Sequence, residues 1–218
     1  MMNPPDLSRA LRADFWPKLK SVGFDVRTDR AAWRYADTSV DVIDLWSVGA
    51  NADACGCTSV SFSAMAGSIP SFMPPPPAWS VKNGQARPRH PDCQLKIRLE
   101  KALSQPWFTP FASSPKTTTP LSFLKHRRGL QAVLRSDRHD RPDIWFVKDD
   151  GSNLSEVIAD LWQVTESIGL PVLDRLHDPC AVIEMVLDRT LVSDPGSMFA
   201  TDILDAARRV DEDREDRD

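Results

Sequence analysis

Two short pairs of potential metal ligands lie on separate stretches of the chain. Cys55 and Cys57 are separated by one residue, and His90 comes three positions before Cys93. Thiolate and imidazole groups are the ligands that tetrahedral zinc prefers, so these four side chains form a candidate zinc site. The spacing of the first pair departs from the usual two-residue gap, and a cysteine on a strand also packs as a small apolar residue. We therefore predict no bound metal or other cofactor, and keep this set as the candidate to test.

A second candidate is a cluster of cations within residues 125–141. Cations grouped on one element could neutralise phosphates of a nucleic acid or of a small ligand. Apolar residues between these cations are also typical of an amphipathic helix with a solvated charged face. The net charge of −4 does not favour a general nucleic-acid binder, so phosphate binding is kept as an alternative. The predicted phosphate-binding residues are Lys125, Arg127, Arg128, Arg135 and Arg138.

Serines and cations alternate with apolar residues on two predicted strands. Ser61 and Ser63 share one face of the first, and Lys96 and Arg98 share one face of the second. If both polar faces lie on the side of the sheet away from the helices, they form a cationic polar surface. Such a surface would suit an anionic ligand or an acidic partner, although ordinary solvation of a sheet face explains the same pattern. These four residues are the predicted partner or ligand surface.

Common catalytic sequence patterns are absent. The nine glycines form neither a dinucleotide-binding nor a P-loop pattern, and there is no nucleophile elbow or zinc-protease motif. Asp41 and Asp44 are three residues apart, so a regular strand directs them to opposite faces and makes them a poor acid–base pair. We predict no catalytic residue. An enzyme whose site is built from loops is kept as an alternative.

Hydrophobic periodicity predicts the elements of the first half. Leu7, Leu11, Phe15 and Leu19 recur at helical spacing, and Pro17 requires a break that leaves it in the first turn of a second helix. Gly23 is expected to end that helix in the left-handed conformation, with the following phenylalanine as its cap contact. Alternating patterns then predict strands at 24–28, 31–35, 40–48, 58–66, 93–99 and 143–148.

Helices return in the last third of the chain. Asn153 and Glu156 have the spacing of a capping box, which predicts a helix that ends at Gly169. Its buried stripe is Val157, Leu161, Val164 and Ile168. A short helix over 171–176 follows, and Asp178 is expected to cap another that places Val182, Ile183, Val186 and Leu187 inside. A final helix is predicted over 201–210, before a frayed polar tail at 211–218.

The order of elements favours an α+β fold rather than alternating βαβ units. We predict an antiparallel sheet of five to six strands, with the N-terminal helix and the C-terminal helices packed on one face. Residues 1–190 form the predicted single domain, with proline-rich loops near 67–91 and 104–120. Residues 191–218 are expected to form a C-terminal helix and a partly disordered polar tail.

Several stretches resemble a known family. The first stretch, Leu19 to Tyr35, contains a helix end, a Gly-Phe pair and a Trp-Arg-aromatic strand. The second is a Ser-Phe strand within 58–66. Ile144-Trp145, the stretch from Gly151 to Leu154, and 169–171 extend the pattern. Together they resemble the uncharacterised bacterial domain-of-unknown-function family 4304, over residues 7–178. The resemblance implies an α+β fold and implies no catalytic residue, cofactor or substrate.

The composition of the chain indicates the cellular compartment in which the protein is expected. No apolar run approaches the roughly 18 residues of a membrane helix, and residues 1–6 do not have the pattern of a signal peptide. Four cysteines are few for 218 residues, which favours free thiols in a reducing compartment. We predict a soluble cytoplasmic protein that is a non-enzymatic interaction module, whose partner is another protein. The sequence leaves its oligomeric state open.

Overall fold

A computed structural model of the chain describes residues 4–37, 39–49, 57–74, 80–99, 144–191 and 198–215. The strands in this part of the chain are β1 Val26–Arg27, β2 Ala31–Ala36, β3 Ser39–Ser47, β4 Phe62–Pro70, β5 Val81–Lys82, β6 Gln85–Ala86 and β7 Leu95–Arg98. The helices are α1 Pro4–Ala10, α2 Trp16–Ser21, α3 Leu154–Val164, α4 Leu170–Arg175, α5 Pro179–Leu187 and α6 Met198–Glu215. Two π-helical segments, Leu11–Phe15 and Thr165–Gly169, join α1 to α2 and α3 to α4.

Five of the strands form one antiparallel sheet in the order β1-β2-β3-β4-β7. Its register is fixed along β3, where Ile43 pairs with Ala32 of β2 and with Ala66 of β4, and Ala66 pairs in turn with Ile97 of β7. Strands β5 and β6 form a separate hairpin. The α+β class and the antiparallel sheet predicted from the sequence are therefore confirmed.

The helical layer packs on one face of this sheet. Because side chains alternate along a strand, every second residue of β3, β4 and β7 lies on this face, and the apolar ones are neighbours across the sheet. They bury against the N-terminal and C-terminal helices in a single core. Its central members include Ile43, Leu45, Ala64, Ala66, Leu95 and Leu99 from the sheet, and Leu11, Phe15, Leu161, Leu173 and Val182 from the helices. We call this the helical face, and the opposite side the outer face.

The N-terminal helices follow the sequence prediction in part. Pro17 lies in the first turn of α2 as predicted, but the π-helical segment Leu11–Phe15 takes the place of the expected break and keeps the chain helical. Gly23 has φ +94°, the left-handed conformation that glycine adopts without steric cost. The N–H of Phe24 donates to the carbonyl of Leu19 at 3.1 Å, and the Phe24 ring is buried in the core. This arrangement is the predicted helix end.

The C-terminal helices differ from the prediction at three residues. Gly169 does not end a helix, because its helical φ of −59° lets the chain continue into α4. A Cβ at this position would lie 2.9 Å from Leu99 Cδ2, so glycine permits close packing of the helix on the sheet. Asn153 does not cap α3, since its amide instead bonds Lys148 N–H and the Phe146 carbonyl, each at 2.8 Å. Leu187 is 56% exposed rather than inside, because it is the last residue of α5.

Other helix predictions hold or change in length. Asp178 caps α5 as predicted, by accepting a hydrogen bond from the Cys180 N–H at 3.1 Å. The buried stripe of α3 is also as predicted at Val157, Leu161 and Val164. The last helix is longer than 201–210, since α6 includes 211–215 of the predicted tail.

Two strand predictions and one loop prediction were wrong in part. The strand predicted at 58–66 begins only at Phe62, because Thr58 forms a turn in which its carbonyl accepts the Ser61 N–H at 3.1 Å. Of 143–148, the described residues contribute a single bridge between Trp145 and Phe62. The loop predicted near 67–91 contains the end of β4 and the β5–β6 hairpin, which turns at Asn83-Gly84 with φ of 54° and 76°. Residues 104–120 lie outside the described residues.

Candidate functional site

A loop crosses part of the outer face and is fixed to it at several points. We call residues 86–93 the strap. The indole N–H of Trp33 donates to the Pro88 carbonyl, and the Tyr35 hydroxyl donates to the Ala86 carbonyl, both at 2.7 Å. At the end of the strap, Cys93 is buried over Gly67 of β4, in a second apolar cluster separate from the main core. The strap therefore covers the β2 side of the outer face.

A buried carboxylate anchors the middle of the strap. Asp44 of β3 has no exposed surface, and it accepts hydrogen bonds from Arg89 Nη2 at 2.6 Å and Nε at 3.0 Å. It also accepts from the His90 backbone N–H at 2.9 Å and faces His90 Nδ1 at 2.8 Å. The hydrogen bond to Asp44 raises the pKa of Arg89. Because a buried charge is costly without partners, this arrangement compensates Asp44 internally.

Four residues beside the strap form what we call the cationic face: Trp46, Ser63, Lys96 and Arg98. Trp46 pairs with Ser63 across β3 and β4, while Lys96 and Arg98 of β7 lie opposite Gly67 and Met65. Arg98 Nη2 lies 3.4 Å from Ser63 Oγ, and its Cζ lies 5.8 Å from the centroid of the Trp46 ring. The strand register places Lys96, Arg98 and Ser63 on the side away from the helices, as predicted. Ser63 is nevertheless buried there, with 3% of its surface exposed, so its prediction as a surface residue was wrong.

Lys96 and Trp46 also contact the strap. The Lys96 ammonium donates to the His90 carbonyl at 3.0 Å, and Lys96 makes no salt bridge with any residue that the structure describes. The His90 ring stacks on Trp46, with centroids 4.4 Å apart and an interplanar angle of 20°. The cationic face is thus continuous with the Asp44 anchor. Its charges and N–H donors give it the chemistry to bind carboxylates or other anions.

Ser61 does not belong to this surface. It is fully buried, its hydroxyl lies 2.9 Å from Thr58 Oγ1, and it accepts a hydrogen bond from the Val147 N–H at 3.1 Å. It precedes β4, so the alternation that assigned it to the same face as Ser63 does not apply to it. Ser61 instead joins the chain after Ile144 to the sheet, and its prediction as a surface residue was wrong.

The predicted zinc ligands are not gathered in the part of the chain described. Cys57 and Cys93 are buried, and His90 is engaged by Asp44. Burial raises the pKa of Cys93 to about 12, which holds the sulfur as a neutral thiol. Among the described residues, no group of three or more histidine, cysteine, aspartate or glutamate side chains is arranged to hold a metal. Cys55 lies outside the described residues, as does the basic segment 125–141 with all its predicted phosphate-binding residues.

A second polar cluster, which the sequence reasoning missed, lies on the helical face. Asp41 of β3 is fully buried; it accepts from Arg34 Nε at 2.8 Å and lies 2.9 Å from His177 Nε2. Arg34 Nη2 also donates to Asp174 at 2.6 Å. Burial acts to lower the pKa of Arg34, but the two carboxylates raise it overall. We call these four residues the Asp41 cluster, and they fix the end of α4 to the sheet.

Ser39 lies beside the Asp41 cluster and, with His177 and Asp41, completes the residue types of a hydrolase triad in a different arrangement. Ser39 Oγ lies 2.7 Å from His177 Nε2, the same ring nitrogen that faces Asp41. In a catalytic triad the serine and the aspartate use different ring nitrogens, because the histidine must accept the serine proton while the aspartate holds the other N–H. Here an N–H that donates to Asp41 leaves no lone pair for Ser39. The arrangement supports a structural role.

Comparisons with known proteins identify no relative: no family model, curated protein or solved structure matches the chain. The resemblance to family 4304 therefore stays a prediction. None of the described helices is long and apolar enough to cross a membrane.

Proposed function

We propose that this protein is a non-enzymatic interaction module that binds an acidic segment of another protein on its cationic face. The observation that carries the proposal is the position of Lys96 and Arg98. Both lie on one face of β7, beside a buried Asp44 that Arg89 and His90 already compensate. Asp44 is therefore compensated without Lys96 or Arg98, and the positive charge of this face of β7 favours an acidic partner.

The charge of the rest of the molecule supports this choice of partner. The whole chain has a net charge of −4, so a cationic face stands out against an acidic background. Opposite charge on a partner speeds encounter and fixes orientation, while the remaining surface repels acidic partners that approach elsewhere. A half-buried tryptophan beside the cations adds contact area of the kind that is enriched at protein interfaces.

The proposal includes a setting. Cys93 is a buried free thiol, which is compatible with a reducing compartment, and we place the protein in the cytoplasm. Membership of the bacterial family 4304 is part of the same proposal. It rests on the resemblance of residues 7–178 described above.

The test is an NMR titration of the ¹⁵N-labelled protein with a hexaglutamate peptide. We expect amide shifts concentrated on β4 and β7 that shrink as salt is added, because exposed charge pairs are screened. The variant Lys96→Glu/Arg98→Glu should lose these shifts. The matched control Lys20→Glu/Lys82→Glu reverses two exposed cations elsewhere and should retain them. Unchanged binding by the first variant would overturn the proposal.

The alternative function, phosphate or nucleic-acid binding through 125–141, is tested in a separate experiment. A 12-base-pair DNA duplex replaces the peptide, and Arg127→Glu/Arg128→Glu replaces the β7 variant. The alternative would be favoured over the cationic face if the wild type binds DNA but not hexaglutamate, and if Arg127→Glu/Arg128→Glu abolishes the DNA binding. Absence of a mobility shift at low salt would remove the alternative.

A further inference from the structure

We infer that His90 is a specificity-determining residue beside the cationic face, and that a proton on its Nε2 binds a carboxylate of the acidic segment. This inference rests on the proposed function and deepens it, because it makes recognition of the segment depend on pH. The observation behind it is that the buried Asp44 fixes one nitrogen of the His90 ring, while the ring itself stays partly exposed.

Asp44 determines which nitrogen of the His90 ring carries a hydrogen. Arg89 donates to both carboxylate oxygens, from Nη2 at 2.6 Å and from Nε at 3.0 Å, so Asp44 is held as an acceptor. His90 Nδ1 lies 2.8 Å from Asp44 Oδ2 and must therefore be the N–H donor of this contact. In the neutral ring the second nitrogen, Nε2, then has a lone pair and no hydrogen.

The edge of the ring that carries Nε2 faces solvent. The His90 side chain is 29% exposed, although Asp44 on its Nδ1 side has no exposed surface. Trp46 contacts the ring through its face, with centroids 4.4 Å apart, and Nε2 makes no hydrogen bond with any residue that the structure describes. A ring that is already ordered loses little conformational freedom when a partner binds, which favours affinity at Nε2.

Protonation reverses what Nε2 offers to a partner. A lone pair repels a carboxylate oxygen, whereas the N–H of a charged imidazole donates to it in a charge-assisted hydrogen bond. Histidine ordinarily gains or loses its proton between about pH 5 and 8, and a glutamate side chain, with an ordinary pKa of about 4.3, stays ionised over most of this range. An acidic segment therefore binds with uptake of a proton at His90, and binds more tightly as the pH falls from 8 to 6.

Charged groups on three described elements lie around His90, in contact with it or with one of its neighbours. The carboxylates among them favour a proton on the ring, and the cations oppose it. The carboxylates are Asp44 of β3 and Asp92 of the strap, and the cations are Arg89 of the strap and Lys96 and Arg98 of β7. All of them are present with and without a partner, so the carboxylate that approaches Nε2 is the new charge that stabilises the proton.

The experiment measures hexaglutamate affinity by NMR at pH 6 and at pH 8, at one ionic strength. The wild type should bind about three- to fivefold more tightly at pH 6, which is the gain from one partly exposed charged contact. His90→Asn keeps an N–H donor for Asp44 and removes Nε2, so its affinity should differ little between the two pH values. His90→Phe keeps the stacking on Trp46 and should behave in the same way. A pH difference as large in both variants as in the wild type would overturn the inference.

A measurement on the wild type alone tests the same contact if either variant is unstable. The pH midpoint of the His90 ring resonances should lie higher in saturating hexaglutamate than without the peptide, because the bound carboxylate stabilises the proton. His177 is the internal control: its Nε2 already lies 2.9 Å from Asp41 and 2.7 Å from Ser39 Oγ, and its midpoint should not move. A His90 midpoint that is the same with and without the peptide would contradict a contact at Nε2.

The two proposals fail in different ways. If Lys96→Glu/Arg98→Glu abolishes hexaglutamate binding while the wild type binds equally tightly at pH 6 and pH 8, the inference is wrong and the proposed function stands. If the double charge reversal leaves binding intact at both pH values, the proposed function itself is wrong. Far-UV circular dichroism at each pH verifies that every variant is folded before it is compared.

Discussion

Replacing Gly67 with alanine tests the packing of the strap on the sheet. A Cβ at this position would lie 2.8 Å from Cys93 Cβ, 2.9 Å from Cys93 Sγ and 3.4 Å from Lys96 Cβ. Carbon atoms in favourable contact are about 3.5–4.0 Å apart, so the new methyl group overlaps Cys93 by nearly an ångström. A Cβ atom cannot rotate away, because its position is fixed by the backbone. The strap must therefore move.

The expected cost combines two opposing effects. Overpacking of a core typically costs about 1–3 kcal/mol, and the gain from a less flexible unfolded chain offsets about 0.4–1 kcal/mol of it. We expect Gly67→Ala to lower the free energy of unfolding by about 1–2 kcal/mol. Urea unfolding followed by far-UV circular dichroism measures this, with the midpoint shifting and the slope unchanged.

Gly169→Ala is the matched control, because its nearest contact is of a different kind. The atom that a Cβ would meet there, at 2.9 Å, is the terminal Cδ2 of Leu99, and the backbone is helical. The gain in helix propensity of about 1 kcal/mol then offsets the shift of a flexible side chain, and we expect stability within about 1 kcal/mol of the wild type. Removing the opposing atoms with Cys93→Gly should recover part of the loss in Gly67→Ala, measured as a coupling energy in a double-mutant cycle. A Gly67→Ala protein as stable as the wild type would refute the strap packing.

Three further predictions concern other parts of the molecule. Asp41→Ala should lower the free energy of unfolding by about 3–5 kcal/mol in urea titrations, because it leaves Arg34 and His177 without their buried partner. The control Asp37→Ala, at an exposed position, should change the free energy of unfolding by less than about 0.5 kcal/mol. At pH 8, iodoacetamide should leave Cys93 unmodified in peptide mass maps, because burial and a pKa raised to about 12 suppress its thiolate. Once urea unfolds the chain, the reagent should modify Cys93 at the same pH. Modification of Cys93 in the folded protein would contradict its buried environment. Gly23→Ala should cost roughly 1–2 kcal/mol because φ is +94°, and a thermal midpoint at or above that of the wild type would argue against this helix end.

Sequence patterns predicted those features of the fold that depend on neighbouring residues. The helix end at Gly23 follows from one glycine and the phenylalanine after it, and the cap of α5 follows from Asp178 before a proline. The opposite positions of Asp41 and Asp44 follow from the two-residue period of a strand. The hairpin at Asn83-Gly84 carried an equally local signal, which the many prolines around it obscured.

Features that depend on distant residues could not be predicted in the same way. Gly169 has the sequence context of a helix end, but its role is set by Leu99 of the sheet, seventy positions earlier in the chain. The strap is held by contacts such as the one between Trp33 and Pro88, which are 55 residues apart and leave no periodic signature. For the candidate site, the sequence therefore indicated Lys96, Arg98 and Ser63 by alternation, and missed Trp46 and His90, which join them through the strap.

The two buried carboxylates of β3 explain why one strand can organise both sides of the sheet. Asp41 has Arg34 and His177 as partners on the helical face, and Asp44 has Arg89 and His90 on the outer face. Each carboxylate is compensated by its own arginine and histidine, so neither needs the partner set of the other. The helical layer and the strap are therefore anchored separately. The contacts that fix α4 therefore do not depend on those that fix the strap, and a partner on the outer face, as proposed above, would leave the Asp41 cluster intact.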